Sequence, residues 1–131
     1  MVSRMRCVWF IGVLALVTVG CGQKGPKLVP VEGTLKVNGE PIEGALIEFQ
    51  PDDVSGSPSY GDTDAHGFYE MKFSPQRSGA LVGTHTFRIT TENENLRKPE
   101  ILPPMYHIQS QEKREVKDEK NVIDFDIQLA R

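Results

Sequence analysis

Three histidines are the residues of this chain most suited to metal or acid–base chemistry: His66, His85 and His107. They are separated by 19 and 22 residues, whereas metal ligands that can be recognised in a sequence lie only a few residues apart. His85 also falls on the apolar phase of a predicted strand, which favours a partly buried core histidine with one hydrogen bond. We therefore predict no metal site, with a three-histidine site assembled by the fold as the alternative.

The segment Asp62–Gly67 has some features of a calcium-binding loop. Such a loop needs oxygen ligands at its first, third and fifth positions and a bidentate glutamate at its twelfth. Counted from Asp62, the fifth residue is His66 and the twelfth is Phe73, so two critical ligands are missing. Residues 64–67 have Asp first and Gly last, which is typical of a type I turn. We predict a turn between strands, with a calcium site as the alternative.

Residues for nucleophilic or acid–base catalysis are few. The chain has no Gly-x-Ser-x-Gly motif, and its two cysteines are Cys7 and Cys21. Asp124 and Asp126 form a pair of carboxylates on a predicted strand whose opposite face is apolar. A second pair, Asp52 and Asp53, lies in a predicted loop. Solvated side chains explain the strand pair more simply than catalysis does. We expect no catalytic residue, no cofactor and no enzyme activity.

Cys21 closes an N-terminal segment that is organised like a secretory signal. Arg4 and Arg6 supply positive charge, and residues 7–19 are apolar or small apart from Thr18. This run of 13 residues is shorter than the roughly 20 residues that a membrane-spanning helix requires. An uncleaved membrane anchor is therefore the less favoured alternative to a cleaved signal.

Residues 17–21, Val-Thr-Val-Gly-Cys, resemble the lipobox of bacterial lipoproteins, with Thr18 at the position usually held by Leu. The resemblance implies that the thiol of Cys21 takes a diacylglyceryl group and that a signal peptide of residues 1–20 is removed. Cys7 would be removed with it. The mature chain would then contain no disulfide and no free thiol.

The mature chain that this cleavage predicts has 111 residues, enough for one domain. Loss of Arg4 and Arg6 lowers the number of basic residues from 15 to 13 against 18 acidic ones, so the net charge becomes about −5. An acidic domain lacks the basic patch that nucleic acids or anionic lipid headgroups require. We predict no nucleic-acid partner and a membrane attachment that depends on the acyl chains.

After a flexible tether predicted over residues 21–30, apolar and polar residues alternate in several short segments, which is the pattern of half-buried strands. These segments are 31–37, 45–50, 60–63, 68–73, 83–91 and 122–129. Asn38–Gly39 predicts a tight hairpin turn. Residues 92–120 show no sustained periodicity, and the charged run 112–120 is expected to be a solvated loop or an exposed hairpin. The pattern predicts an all-β antiparallel sandwich over residues 31–131.

The phase of these strands separates core residues from exposed ones. The predicted core consists of Leu35, Val37, Ile47, Phe49, Phe87, Ile89, Ile123, Phe125 and Ile127. One of Phe68 and Tyr69, together with Phe73, is also assigned to the core. Tyr60 and Tyr106, in or near predicted loops, remain as the spare rings that could contact a ligand.

Several segments carry the motifs of one domain family. Val31–Pro51 contains a turn with Gly and Pro and a second strand that opens on Gly-Ala, Thr63–Tyr69 reads Thr-Asp-x-x-Gly-x-Tyr, and Gly79–Ile89 is a glycine turn followed by a strand. They resemble the carboxypeptidase regulatory-like, or transthyretin-like, domain of many small bacterial lipoproteins. Pro103–Tyr106 and Asn121–Asp126 also match the ending of such lipoproteins. The resemblance implies a seven-stranded β-sandwich with an Ig-like Greek-key order.

These observations together predict a non-catalytic, lipid-anchored protein of the bacterial cell envelope, on the periplasmic or outer-membrane side, with a structural, adhesive or scaffold role. Its partners would be the membrane, through a lipid on Cys21, and an envelope protein or a glycan. The alternative is a carbohydrate- or peptide-binding module that uses Tyr60 and Tyr106. A second alternative, an enzyme similar to 5-hydroxyisourate hydrolase, lacks that family's Tyr-Arg-Gly-Ser ending, because this chain ends Ile-Gln-Leu-Ala-Arg.

Overall fold

The computed structural model describes residues 25–130, and these residues form an all-β domain. The strands are β1 (Leu28–Val29), β2 (Val31–Val37), β3 (Glu40–Pro41), β4 (Leu46–Pro51), β5 (Ser59–Asp62), β6 (Phe68–Glu70), β7 (Lys72–Ser74), β8 (Arg77–Ser78), β9 (Ala80–Leu81), β10 (Gly83–Thr90), β11 (Lys113–Val116), β12 (Asn121–Val122) and β13 (Phe125–Ile127). A single 3₁₀ turn, Pro104–Tyr106, is the one helical element between residues 25 and 130. The predicted all-β fold is confirmed.

The larger sheet has six antiparallel strands in the order β11-β10-β4-β5-β7-β8. Its centre is the pairing of β10 with β4, which places Phe87 opposite Phe49 and Ile89 opposite Ile47. All four of these side chains are buried, because alternate residues of a strand point to the same face of the sheet. This face supplies one half of the core.

The second sheet is built around β2. On one side β2 pairs antiparallel with β6 and β3, and on the other it pairs parallel with β12 and β13. The parallel pairs correct the prediction that every strand pairing is antiparallel. The last strand lies beside an early one with the same direction, a relation between distant parts of the chain that periodicity alone does not contain.

Residues 68–73, predicted as one strand, form two strands in different sheets. Residues 68–70 pair with β2, whereas residues 72–74 pair with β5 and β8. Met71 lies at the crossing and is fully buried. Its N–H donates to the carbonyl of Val31 at 2.8 Å, and its carbonyl accepts from the N–H of Gly79 at 2.7 Å. The chain therefore changes sheet here without leaving the Met71 backbone groups unpaired.

Two turns predicted from their residue types are confirmed. Asn38 and Gly39 both have positive φ, 51° and 81°, as a two-residue type I′ hairpin turn requires. In the second turn the N–H of Gly67 donates to the carbonyl of Asp64 at 2.9 Å. The Asp64 carboxylate also accepts from the N–H groups of His66 and Phe68, at 2.9 and 3.0 Å.

The core lies between the two sheets, in a β-sandwich-like arrangement. The ring centre of Phe125, on β13, lies 4.6 Å from the ring centre of Phe87 and 6.3 Å from that of Phe49, and both of these residues belong to the larger sheet. Of the nine predicted core residues, eight are buried. Ile123 is the exception: it is only partly buried, because it lies in the break between β12 and β13. Of the pair Phe68 and Tyr69, Tyr69 is the core residue, and Met71 is a fully buried addition to the predicted core.

Two segments contain strands that the sequence analysis did not predict. Leu28 and Val29, assigned to the tether, form β1 and pair with Leu81 and Ala80, so the sheet structure begins three residues before the predicted domain start. The charged run 112–120, predicted as a solvated loop or an exposed hairpin, contains the edge strand β11, which pairs with β10. Val116 of β11 is fully buried, and this one apolar contact with the core gave too short a pattern to be recognised as a strand.

Candidate functional site

The predicted lipidation site, Cys21, and the predicted signal peptide, residues 1–20, lie outside the described residues. The structure does show how the chain enters the domain. The guanidinium of Arg77 donates to the carbonyl of Pro26 at 2.9 Å, and the Lys27 ammonium forms a salt bridge with Asp118 at 2.8 Å. The next two residues, Leu28 and Val29, form β1 and pair with β9. The chain is therefore held by the domain from Pro26 onward.

The three histidines occupy separate parts of the structure. His66 is exposed in the turn before β6, and His107 follows the 3₁₀ turn with Nε2 3.2 Å from the carbonyl of Leu102. His85 is 1% exposed. Its Nε2 lies 2.8 Å from the carbonyl of Leu81, whereas its Nδ1 is buried without a partner. The predicted core histidine with one hydrogen bond is confirmed. Among residues 25–130, no three or more His, Cys, Asp or Glu side chains are placed so that they could hold a metal ion together.

The structure places Tyr60 and Tyr106 at different cavities. Tyr60 lies on β5, opposite Glu48 on one side and Lys72 on the other, and the residue is 44% exposed. Tyr106 lies in the 3₁₀ turn, packed against the core and only partly exposed. The two rings do not line a common cavity. A single binding platform made of these two tyrosines is therefore not formed.

Phe68 joins Tyr60 at the groove between β5 and β6, which encloses about 310 Å³. Phe68 is 37% exposed. Strand phase could have identified it, because Tyr69 points inward and its neighbour must then point outward. The side chains that give this groove its chemistry are Tyr60, Asp62, Asp64, Phe68, Glu70 and Lys72. We call it the β5–β6 groove.

The β5–β6 groove carries excess negative charge. Asp62, Asp64 and Glu70 contribute three carboxylates, and Lys72 contributes one ammonium group. None of the four forms a salt bridge with another residue in the range 25–130. Asp64 is bound by backbone N–H groups of its own turn, whereas Asp62 and Glu70 point outward from their strands. The groove therefore has a net charge of about −2 at neutral pH.

Another cavity, of about 240 Å³, lies where β11 and β13 leave the sandwich open, and Tyr106 lines it. The Arg114 guanidinium covers this opening, 5.0 Å from the ring centre of Phe87 and 5.6 Å from that of Phe125. Such cation–π contacts stabilise the edge of the core. The arginine and the buried rings have a structural explanation here that needs no ligand.

Asp124, one of the paired carboxylates, holds the break in the last strand. Its Oδ1 accepts from the N–H of Thr34 at 2.9 Å and from the Thr34 hydroxyl at 3.1 Å. A carboxylate replaces the backbone partner that Thr34 would have in an unbroken ladder. Asp124 is therefore part of the sheet, and not the merely solvated side chain that the strand pattern predicts.

Within residues 25–130, no helix has the length and apolar character needed to cross a bilayer. No family model matches this chain, and neither the curated proteins nor the solved structures contain a significantly similar match. Its function is therefore inferred from its own residues and their geometry.

Proposed function

We propose that this protein is a non-catalytic, lipid-anchored component of the bacterial cell envelope with a structural, adhesive or scaffold role. The observation that carries the proposal is the position of Cys21. It follows an apolar segment and Gly20, and it precedes the first strand of the domain, β1, by seven residues. A signal of this kind directs the domain to the outer side of the cytoplasmic membrane and attaches it there by acyl chains.

The short connection between Cys21 and the domain supports a role close to the membrane. Arg77 holds the Pro26 carbonyl, so four residues, 22–25, lie between Cys21 and the first fixed backbone group, a span of five residue steps. At about 3.3–3.6 Å per residue, this connection can extend to at most about 18 Å. A lipid on Cys21 would therefore keep the domain against the bilayer surface.

We propose further that the domain is a seven-stranded sandwich of the transthyretin-like type with a Greek-key order. Seven strands result when β6 with β7 and β12 with β13 are each counted as one interrupted strand, and the two-residue strands β1, β3, β8 and β9 are left out. Two motifs of the resemblance to the transthyretin-like family, Asn38–Gly39 and Asp64–Gly67, form tight turns in the structure. These features support the assignment.

The uses of the polar residues support a non-catalytic role. Asp64 and Asp124 accept hydrogen bonds from the backbone. Asn121 closes the turn before β12 by accepting from the N–H of Lys117 and donating to the carbonyls of Lys117 and Glu119. Side chains that are bound in this way stabilise turns and strand breaks, so their presence is explained without a catalytic role.

A second candidate function is a ligand-binding module, and the β5–β6 groove favours it. Two exposed rings and unpaired charges line one cavity there. This candidate keeps Tyr60 from the predicted pair of tyrosines and has Phe68 in place of Tyr106. Ligand binding and envelope anchoring are compatible, because the groove lies within the folded domain.

The proposed anchor is tested by the intact mass of the protein in membrane fractions. The wild type should begin at Cys21 and carry the added mass of acyl groups, and Cys21→Ala should lack both. Cys7→Ser is the matched control, because Cys7 lies in the segment that is removed, and it should give the same mature mass as the wild type. A wild-type chain without acyl mass would remove the proposed anchor.

A further inference from the structure

Two aromatic rings in the β5–β6 groove are exposed although most of the other large apolar side chains of the sheets are buried. Tyr60 is 44% and Phe68 37% exposed, whereas Phe49, Phe87 and Phe125 are at most 4% exposed. Both rings line the same cavity of about 310 Å³. Exposed rings that converge on one concave surface are typical of interaction sites, in contrast to single apolar residues scattered over a surface.

The charge of the groove indicates what could occupy it. Its carboxylates exceed its ammonium groups by two, and Asp62 and Glu70 have no salt-bridge partner among residues 25–130. Such a surface repels phosphates and acidic glycans and attracts cations. Aromatic faces also attract cations, through the negative charge of their π-systems. Rings and carboxylates therefore favour the same kind of ligand.

We infer that the β5–β6 groove binds the lysine or arginine side chains of an extended peptide segment in a partner protein. Both sides of the groove repeat the same pattern, with an aromatic residue followed two positions later by an acidic one: Tyr60 and Asp62 on β5, Phe68 and Glu70 on β6. Residues two apart on a strand lie about 6.6–6.8 Å apart. Alternate side chains of an extended peptide have the same spacing, so one basic side chain can lie over a ring while the next one contacts a carboxylate.

Gly61 lets the two sides of the groove come close together. A Cβ at this position would lie 3.0 Å from the carbonyl oxygen of Glu70 and 3.0 Å from the sulfur of Met71, which is closer than most side-chain contacts. The glycine therefore allows β5 to approach the place where the chain crosses from β6 to β7. Lys72, opposite Tyr60, adds one positive charge at this side and should disfavour a second basic side chain there.

A neutral glycan is the competing occupant. It would use the two rings, but it would gain little from a net negative charge, because uncharged hydroxyl groups interact with carboxylates without the long-range attraction that a cation feels. The inference does not depend on the lipid anchor, since all of the residues that carry it lie in the described domain. Loss of the anchor at Cys21 would leave it unchanged.

The test is a binding titration with the full-length protein in a polyoxyethylene detergent, which carries no sugar headgroup. Three probes are compared by fluorescence anisotropy: labelled Lys-Thr-Lys-Thr-Lys, its matched Gln-Thr-Gln-Thr-Gln control, and labelled chitotetraose as a neutral glycan. We expect the lysine peptide alone to bind measurably. Its affinity should fall as NaCl rises from about 25 to about 300 mM, because salt screens exposed charges.

Variants then show whether binding occurs in this groove. Tyr60→Ala and Phe68→Ala should each weaken binding of the lysine peptide about 2- to 5-fold. Glu70→Lys should weaken it about 5-fold or more. Glu94→Lys is the matched control, since Glu94 is exposed and outside the groove and the substitution changes the net charge equally. Asp62→Asn removes one charge with little change of shape, and it keeps the test informative if another variant fails to fold.

Four outcomes would overturn the inference. They are no binding of the lysine peptide, equal binding of the glutamine peptide, binding of chitotetraose in place of the lysine peptide, and equal losses in Glu94→Lys and Glu70→Lys. The last would mean that the peptide responds only to the overall charge of the protein.

Discussion

The hydroxyl group of Tyr69 donates a hydrogen bond to the backbone carbonyl of Ile123, at the break between β12 and β13. Tyr69 is fully buried on β6, on the opposite side of β2 from this break. The bond therefore passes across the central strand and connects the two outer strands of the smaller sheet. Burial, reinforced by the nearby charge of Asp124 and only partly offset by Arg114, raises the pKa of the Tyr69 hydroxyl far above its usual value. The hydroxyl thus stays protonated and able to donate.

Tyr69→Phe should destabilise the domain by about 1–3 kcal/mol, because the carbonyl of Ile123 would lose its side-chain donor in a partly buried position. The measurement is the free energy of unfolding in urea. Tyr60→Phe is the matched control, since Tyr60 is exposed, and it should change this energy by less than about 0.5 kcal/mol. Equal effects of the two substitutions would contradict a specific role for the Tyr69 hydroxyl.

Gly33→Ala should destabilise the domain by at least about 2 kcal/mol. A Cβ at residue 33 would lie 1.9 Å from the carbonyl oxygen of Ile123, the same oxygen that Tyr69 binds. Because that neighbour is backbone, the broken strand itself would have to move. Lys36→Ala, on an exposed position of the same strand, should change the unfolding free energy by less than about 0.5 kcal/mol. Small effects at both positions would show that β12 and β13 can shift without a loss of stability.

Phe125→Ala should cost about 3–5 kcal/mol of unfolding free energy, which is the range for removing a large buried aromatic side chain. Phe125 is 4% exposed, and its ring contacts those of Phe87, Phe49 and Tyr69. Urea denaturation monitored by circular dichroism measures the effect. A loss below about 1 kcal/mol would mean that this face of β13 does not form the core.

Glu100→Gln should destabilise the protein at neutral pH, and the difference from the wild type should disappear in acid. Burial raises the pKa of Glu100, but hydrogen bonds from Thr91, Leu102 and Glu92 outweigh this effect and hold the pKa below its ordinary value. A carboxylate with a lowered pKa in the folded state contributes stability above its unfolded pKa. That stability is lost as the pH falls through the folded value.

Urea midpoints measured at pH 7, 5 and 3 check this dependence. The wild type should exceed Glu100→Gln in stability by about 1–2 kcal/mol at pH 7, as expected for hydrogen bonds to a charged group, and the difference should narrow below about pH 4.5. Glu94→Gln, an exposed glutamate in the same loop, should show no such difference. A constant deficit of Glu100→Gln at every pH would contradict the role of its charge.

Local pattern was enough to predict much of the fold. The alternation in residues 31–37 and 83–91 identified two long strands and their buried faces, because a strand between core and solvent must repeat every two residues. Asn38–Gly39 identified a hairpin turn, since these residues accept positive φ at low cost. His85 was assigned to the core by the same phase and is buried there. For the candidate groove, the pattern identified Tyr60 as a spare ring.

The sequence by itself determined most of the longer strands and most of the side chains that point inward from them, since these properties depend on neighbours in the chain. Only the tertiary structure decided which strands pair. Thr34 and Asp124 meet although 90 residues separate them, residues 68–74 divide between two sheets at Met71, and Phe68 joins Tyr60 while Tyr106 does not. Such contacts depend on closing long loops and on fitting side chains across two sheets. A contact between distant segments therefore produces no periodic pattern in the sequence of either segment.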